Sequence, residues 1–160
     1  MNKKTLRKAV IKLLIEKNMT ISAAESCTGG LFSKMITDIS GSSMVLNESY
    51  VTYANEAKTK ILGVNSDTLK KYGAVSEETA REMLEGLYKV SSSDVCVCFT
   101  GIAGPGGGTN EKPVGLVYMG IYINGKTEIT RLKLRGNRDK IRTLACLEAF
   151  CKIRKKLQQI

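Results

Sequence analysis

Apolar positions recur along this chain with two different periods, and each period predicts one type of element. Spacings of three and four residues place side chains on one face of a helix and predict helices in six regions. These regions are residues 3–17, 29–39, 55–62, 66–73, 76–90 and 138–157. Short apolar or alternating runs predict strands at residues 19–24, 44–53, 95–99, 114–123 and 127–134.

The order of these elements indicates the fold class. Asn124-Gly125, between the last two strands, is typical of a two-residue β-hairpin turn. The remaining strands alternate with helices, which favours an α/β arrangement with helices on both faces of a sheet. We therefore expect residues 1–160 to form one domain, a three-layer α/β/α sandwich whose mixed β-sheet includes an antiparallel hairpin.

Charge and hydropathy narrow the possible partners. The chain has 25 Lys and Arg against 15 Asp and Glu, a net charge of +10 with much of the excess in the two terminal helices. This charge suits nucleic acid, an anionic small molecule or no partner at all. Nucleic-acid binding is not expected, because aromatic RNA-binding motifs, zinc fingers and basic zippers are missing. No apolar run approaches the roughly 18–20 residues of a membrane span and no signal peptide is recognisable, so we expect a cytoplasmic protein.

The chain has five cysteines and no histidine, which restricts both metal binding and catalysis. The cysteine spacings do not suggest a disulfide framework. We expect Cys96 and Cys98 on opposite faces of one strand, a poor arrangement for ligating a metal, and predict no metal site. A Ser-His-Asp or Cys-His mechanism within this chain is excluded. A general base has to be Lys, Tyr, Asp, Glu or the terminal amine.

The segment Glu25-Ser26-Cys27-Thr28-Gly29-Gly30 connects a buried strand to an amphipathic helix. A serine in such a turn lies at a helix N-terminus, where unpaired N–H groups can hold an anion or a developing oxyanion. Ser26 is therefore a candidate nucleophile. The alternative is that Ser26 or Thr28 only caps the helix. Cys27 is a rival nucleophile, because a helix N-terminus lowers the pKa of a thiol, but it ranks below Ser26.

A glycine-rich segment, residues 100–113, follows the strand at 95–99. Its glycines would let backbone N–H groups approach a ligand closely. It is not a P-loop, because no Gly-Lys-Ser/Thr follows, and it lacks the helix of a dinucleotide fingerprint. The alternative is a flexible crossover loop. Its position after a central strand, near the turn at Ser26, favours ligand binding.

Tyr53 and Lys58 flank the start of the helix at 55–62 and are candidates for proton transfer. A desolvated Lys58 could lose its proton near neutral pH and activate Ser26, and Tyr53 could relay the proton or donate to an oxyanion. The alternatives are that Lys58 is a solvated surface lysine and that Tyr53 packs its ring as a strand residue. Spacing alone favours these structural alternatives.

Four segments, residues 24–30, 53–58, 73–78 and 100–115, together resemble the C-terminal domain family of competence/damage-inducible protein A (CinA). The resemblance covers about residues 20–155 and is to the stand-alone version, without the nucleotide-pyrophosphatase-type domain of longer members. It implies a nicotinamide-nucleotide amidohydrolase that converts nicotinamide mononucleotide and water to nicotinate mononucleotide and ammonia. No metal or organic cofactor is implied.

The resemblance makes Ser26 the nucleophile and Tyr53 and Lys58 its assistants. We expect N–H groups of Cys27 to Gly29 to stabilise the oxyanion, and the glycine-rich loop with Arg138 to hold ribose and phosphate. The predicted substrate-binding residues are Cys27, Thr28, Gly29, Gly30, Thr100, Gly101, Gly104 and Arg138. The chain departs from the family at Ala54, where a serine is usual, and over residues 44–49.

The expected partner is the nucleotide substrate, and self-association as a homodimer is compatible with the sequence. The alternative function is a non-catalytic module that binds a nucleotide or a protein, in keeping with the family's link by name to competence and DNA damage. A Ser26→Ala variant separates the two functions, since only the amidohydrolase loses a turnover.

Overall fold

The computed structural model describes residues 2–160, which form one mixed sheet between two layers of helices. The helices are α1 (Lys3–Glu16), α2 (Leu31–Thr37), α3 (Asn55–Leu62), α4 (Ser66–Tyr72), α5 (Glu77–Ser91) and α6 (Arg138–Leu157). The strands are β1 (Ile21–Glu25), β2 (Leu46–Val51), β3 (Val95–Gly101), β4 (Leu116–Ile123) and β5 (Lys126–Lys133). No helix in this described range is both long and apolar enough to cross a membrane.

The strands lie in the order β2-β1-β3-β4-β5. β1 pairs in parallel with both β2 and β3, whereas β4 runs antiparallel to β3 and to β5. Asn124 and Gly125, both with positive φ, form the turn between β4 and β5, which confirms the predicted hairpin. Because parallel strands end at the same edge of a sheet, the carboxyl ends of β1, β2 and β3 lie side by side.

Two apolar clusters fill the spaces on either side of the sheet, and they confirm the three-layer sandwich. One contains buried side chains of α1, α2 and α6, including a stacked pair, Phe32 and Phe150, whose ring centroids are 4.6 Å apart. The other contains side chains of α5 and the end of α3, together with Cys96 and Cys98 of β3. The expectation that these two cysteines point to opposite faces was wrong, because residues two apart in a strand share a face.

The other differences from the predicted elements concern where they begin and end. α2 begins at Leu31 rather than at residue 29, because Gly29 and Gly30 have φ values of 57° and 92°, outside the helical range. β2 ends at Val51, so Tyr53 lies beyond the strand. β3 extends to Gly101, which pairs with Val117 of β4. Each of these shifts affects a residue of the candidate site.

α3, which carries Lys58, lies unusually close to α5. A Cβ built at Gly86 of α5 would be 1.8 Å from the carbonyl oxygen of Leu62, the last residue of α3. Only glycine therefore permits this approach, and the packing sets the position of α3 against the second apolar cluster.

Candidate active site

The carboxyl edge of the parallel strands brings Ser26 next to β3 and β2. The Ser26 N–H donates to the Phe99 carbonyl at 3.0 Å, and the Thr52 N–H donates to the Glu25 carbonyl at 2.9 Å. These bonds continue the sheet pairing beyond Glu25. They hold the backbone of Ser26 in a defined position, as a nucleophile needs.

The Glu25 carboxylate is fully buried and holds the turn that follows it. It accepts hydrogen bonds from the N–H groups of Gly30 (3.1 Å), Phe32 (3.0 Å) and Ser33 (2.9 Å), and from the Ser33 hydroxyl (2.8 Å). A carboxylate at a helix N-terminus is stabilised by these donors and by the helix dipole. The sequence analysis missed this role; its signal in the sequence is a charged residue at the end of a buried strand whose other residues are uncharged.

The interpretation of Ser26 or Thr28 as a helix cap was wrong. The N-cap residue of α2 is Gly30, with no side-chain cap, and Glu25 satisfies the first N–H groups instead. The Thr28 hydroxyl is buried without a hydrogen-bond partner among the described residues. The Ser26 hydroxyl, in contrast, contacts Lys58.

Lys58 is buried, with only 1% of the residue exposed, and its amine points into the site. Nζ lies 3.0 Å from Ser26 Oγ, and it donates to the carbonyls of Thr52 at 2.9 Å and Tyr53 at 3.1 Å. Burial lowers the pKa of Lys58, and no carboxylate within residues 2–160 forms an ion pair with it. The interpretation of Lys58 as a solvated surface lysine was therefore wrong.

Three oxygens surround the Lys58 amine, which donates to all three when it is protonated and to the two carbonyls when it is neutral. A neutral lysine has two N–H donors and one lone pair, and two carbonyls take up the two donors. In this neutral form the lone pair faces the Ser26 hydroxyl, 3.0 Å away, and can accept its proton. The pair can therefore work as a nucleophile and its base without histidine.

Tyr53 lies at the site, but its hydroxyl does not contact the Ser26–Lys58 pair. The side chain is exposed, and its hydroxyl accepts a hydrogen bond from Arg138 Nη2 at 3.1 Å. Only the Tyr53 backbone carbonyl contacts Lys58. The interpretation of Tyr53 as a strand residue that packs its ring was wrong, because β2 ends at Val51 and the side chain is exposed. Its role as a proton relay stays a prediction.

Cys27 does not have the activated thiol that its position suggested. Burial raises the pKa of Cys27 to about 12, which overrides the effect of the nearby positive charges. The thiol is therefore protonated at neutral pH and nearly inaccessible. Of the two adjacent candidates, the structure favours Ser26.

A cavity of about 290 Å³ opens above the Ser26 hydroxyl. Its walls include eight of the predicted site residues: Ser26, Cys27, Tyr53, Lys58, Thr100, Gly101, Gly104 and Arg138. Thr28, Gly29 and Gly30 do not line it. The Gly29 N–H donates to the Ser26 carbonyl at 3.0 Å, so the expectation that it serves the oxyanion was wrong. Within the described chain, no cluster of three His, Cys, Asp or Glu side chains could hold a metal ion.

Ala74 and Val75 form a wall of the cavity that the sequence analysis did not identify. The Thr100 hydroxyl fixes this wall by donating to the Ala74 carbonyl at 2.7 Å. Gly101 has a packing role as well, because a Cβ there would lie 2.7 Å from the Leu116 carbonyl oxygen. The segment 73–78 thus contributes shape rather than a reactive group.

Two arginines of α6 reach the site. Arg138 donates to the Gly104 carbonyl at 2.8 Å as well as to Tyr53, and it forms no ion pair with a carboxylate of the described residues. Arg142 donates from Nε to the Cys27 carbonyl at 3.2 Å and from Nη2 to the Thr28 carbonyl at 2.7 Å. Arg142 was missed because it lies more than a hundred residues from the turn that it contacts.

Comparisons with known proteins agree with this fold. The model of the CinA C-terminal domain family matches residues 3–157. A CinA-like protein of Kosmotoga olearia is 52% identical over 153 residues, which cover 96% of this chain and 37% of that protein. The chain spans little more than a third of the length of the curated relatives that it matches.

Solved structures share the whole fold. A CinA superfamily protein of Klebsiella pneumoniae has a TM-score of 0.94 at 29% identity, with 100% of both chains covered. The competence/damage inducible protein CihA of Agrobacterium tumefaciens has a TM-score of 0.85 at 39% identity, covering 98% of this chain and 92% of that one. With its fold, its matched length and its sequence identity to these relatives, the chain belongs to the CinA C-terminal domain family.

Proposed function

We propose that this chain is an amidohydrolase that converts nicotinamide mononucleotide and water to nicotinate mononucleotide and ammonia. The observation that supports it most is the buried Lys58 amine 3.0 Å from the Ser26 hydroxyl, with two carbonyls accepting its other protons. This pair supplies an activated nucleophile for an amide carbonyl. The choice of substrate comes from the family resemblance and from the charges around the cavity.

In the first half of the reaction, Lys58 takes the Ser26 proton as Oγ bonds to the carboxamide carbon. The carbonyl π electrons move onto oxygen and give a tetrahedral oxyanion. When this oxyanion collapses, the carbon–nitrogen bond breaks and the protonated Lys58 gives its proton to the departing nitrogen, which leaves as ammonia. Ser26 then carries a nicotinoyl ester of the nucleotide.

In the second half, water takes the place of the serine. Lys58, neutral again, accepts a proton from water as its oxygen bonds to the ester carbon. Collapse of the second tetrahedral oxyanion breaks the bond to Ser26 Oγ, which recovers its proton from Lys58. The product acid ionises to nicotinate mononucleotide. One lysine therefore serves as base and acid in both halves, which explains how a site without histidine can complete the cycle.

The nucleotide phosphate has a suitable cation in Arg138. This guanidinium lines the cavity and is bonded only to neutral oxygens, those of Gly104 and Tyr53. A phosphate is a better partner than either, because hydrogen bonds between two charged groups are the stronger ones. Gly104, Gly106 and Gly107 line the same side of the cavity, where backbone N–H groups can approach the ribose or the phosphate.

The test is ammonia release from nicotinamide mononucleotide by the purified wild type and by Ser26→Ala, with free nicotinamide as a control substrate. We expect release from the nucleotide by the wild type alone. Release by both proteins would contradict the assignment of Ser26. No release by either folded protein would contradict the proposed activity and favour a binding module.

A further inference from the structure

Arg142 fixes the orientation of two peptide groups in the turn after Ser26. Its guanidinium donates to the carbonyls of Cys27 and Thr28, and a Cβ built at Gly29 would lie 3.4 Å from Nη2. Three quarters of the Arg142 side chain is shielded, and its nearest carboxylate, Asp139, is 3.7 Å away and almost fully exposed. The two backbone carbonyls are therefore its main partners.

The planarity of the peptide bond transmits this contact to the other side of the turn. In a trans peptide, the C=O and N–H groups point in opposite directions. Because the Thr28 carbonyl points at Arg142, the N–H of Gly29 points away from Arg142, and it donates to the Ser26 carbonyl. The Ser26 carbonyl is likewise engaged, by the Gly29 N–H, so the N–H of Cys27 points out of the turn.

The N–H groups of Cys27 and Thr28 donate to no other residue within 2–160, whereas those of Ser26, Gly29 and Gly30 all donate. Of the two residues, only Cys27 lines the cavity together with Ser26, whereas Thr28 is buried. The Cys27 N–H is thus the free donor of the turn on the cavity side. Donors fixed before the reaction and aimed at the place where negative charge develops give the largest stabilisation of a tetrahedral oxyanion.

We infer that Arg142 is a positioning residue of the oxyanion site: it holds the turn so that the N–H group of Cys27 receives the oxyanion. The inference rests on the proposed nucleophile, Ser26, and does not depend on the identity of the amide substrate. The planar guanidinium suits the role because its donors have a fixed geometry and can hold two carbonyls at once. Lysine would offer a single flexible ammonium.

The test uses an alkyl fluorophosphonate, which reacts with activated serines and requires no recognition of a nucleotide. Ser26 Oγ bonds to phosphorus, fluoride leaves with the electrons of its bond, and Lys58 takes the serine proton. The phosphoryl oxygen gains negative charge in this step and needs the same donor. The second-order labelling rate is measured by intact mass for the wild type, Arg142→Met, Arg142→Lys and the control Lys140→Met. Lys140 is an exposed cation near Arg142 on α6.

We expect Arg142→Met to label at least about 100-fold more slowly than the wild type, the effect of losing one well-placed donor. Arg142→Lys should label at least about 10-fold more slowly, and Lys140→Met should equal the wild type. The Kd of nicotinate mononucleotide should stay unchanged in both Arg142 variants, which a general collapse of the site would not allow. If Arg142→Met does not fold, Arg142→Lys carries the test.

The failures of the two proposals are distinguishable. Equal labelling of the wild type and the Arg142 variants would overturn the role of Arg142 and leave the amidohydrolase proposal intact. No labelling of a folded wild type would overturn the activated Ser26 and the oxyanion role with it. Labelling of the wild type and slow labelling of Arg142→Met support the role of Arg142 even if another amide proves to be the substrate.

Discussion

The buried carboxylate of Glu25 gives the sharpest prediction about how the nucleophile is positioned. One carboxylate oxygen accepts from the Ser33 N–H and hydroxyl, and the other accepts from the N–H groups of Gly30 and Phe32. Glu25→Gln keeps the shape but replaces one accepting oxygen with an NH₂ group. Turned toward Ser33, the NH₂ group donates to the Ser33 hydroxyl, which can donate to Ser49 in turn, but the Ser33 N–H loses its acceptor. At least one of the four hydrogen bonds is therefore lost in either orientation of the amide.

Hydrogen bonds to charged groups contribute about 1.5–3 kcal/mol each, so losing one should lower the free energy of unfolding by about 1.5–3 kcal/mol. Equilibrium urea unfolding measures this change at neutral pH. In a protein of this size each kcal/mol corresponds to a fall in Tm of about 2–4 °C. Because the turn carries Ser26, we also expect slower turnover in the fraction that remains folded.

The matched control is Glu85→Gln, which makes the same chemical change at an exposed position of α5. A surface change of this kind should stay within about 0.5 kcal/mol of the wild type. If Glu25→Gln unfolds within about 1 kcal/mol of the wild type, on the same scale of surface effects, the carboxylate does not hold the turn and this reasoning is refuted.

Three further predictions concern α3, Lys58 and Arg138. Ala54 is the N-cap residue of α3, with extended backbone and no side chain that can cap the helix. Ala54→Ser should therefore raise the free energy of unfolding, measured in urea, by about 1 kcal/mol. No gain would show that α3 does not need the cap. Burial lowers the pKa of Lys58, and the base must be neutral, so kcat/KM should fall with decreasing pH below that pKa and level off above it. If kcat/KM continues to rise past pH 10.5, the ordinary pKa of lysine, the pKa is not lowered. Arg138→Ala should raise KM for nicotinamide mononucleotide more than for nicotinamide riboside, which has no phosphate, and equal changes would remove Arg138 from phosphate binding.

The secondary structure and the layers were predictable because their signals are local. Apolar periodicity marks each helix, and Asn124-Gly125 marks the hairpin, without reference to the rest of the chain. The ends were less accurate where glycine or a polar network intervened. Gly29 and Gly30 delay the start of α2. The Glu25 carboxylate accepts hydrogen bonds from the first N–H groups of this helix, a contact that the spacing of apolar residues does not indicate.

The residues of the candidate site could be predicted from the sequence, but their burial and their contacts could not. Motifs pointed to Ser26 and Lys58, yet the burial that lowers the Lys58 pKa arises from the packing of α3 in the folded chain. Burial also shifts the pKa of Cys27, but it raises the pKa of the thiol because the charged form of a thiol is the deprotonated one. Arg142 gave no signal, because its contact with the turn joins segments that are adjacent only in the folded protein.

The central claim is that Lys58 is the base for Ser26, and one comparison tests it most directly. Ammonia release from nicotinamide mononucleotide is measured for Lys58→Met and for Lys60→Met, which removes an exposed lysine from the same helix. Both variants are first checked for cooperative unfolding. General acid–base catalysis contributes about 10²–10⁴-fold, so Lys58→Met should lose at least about 100-fold in kcat while Lys60→Met keeps the wild-type rate. Near-normal turnover by a folded Lys58→Met would contradict the account.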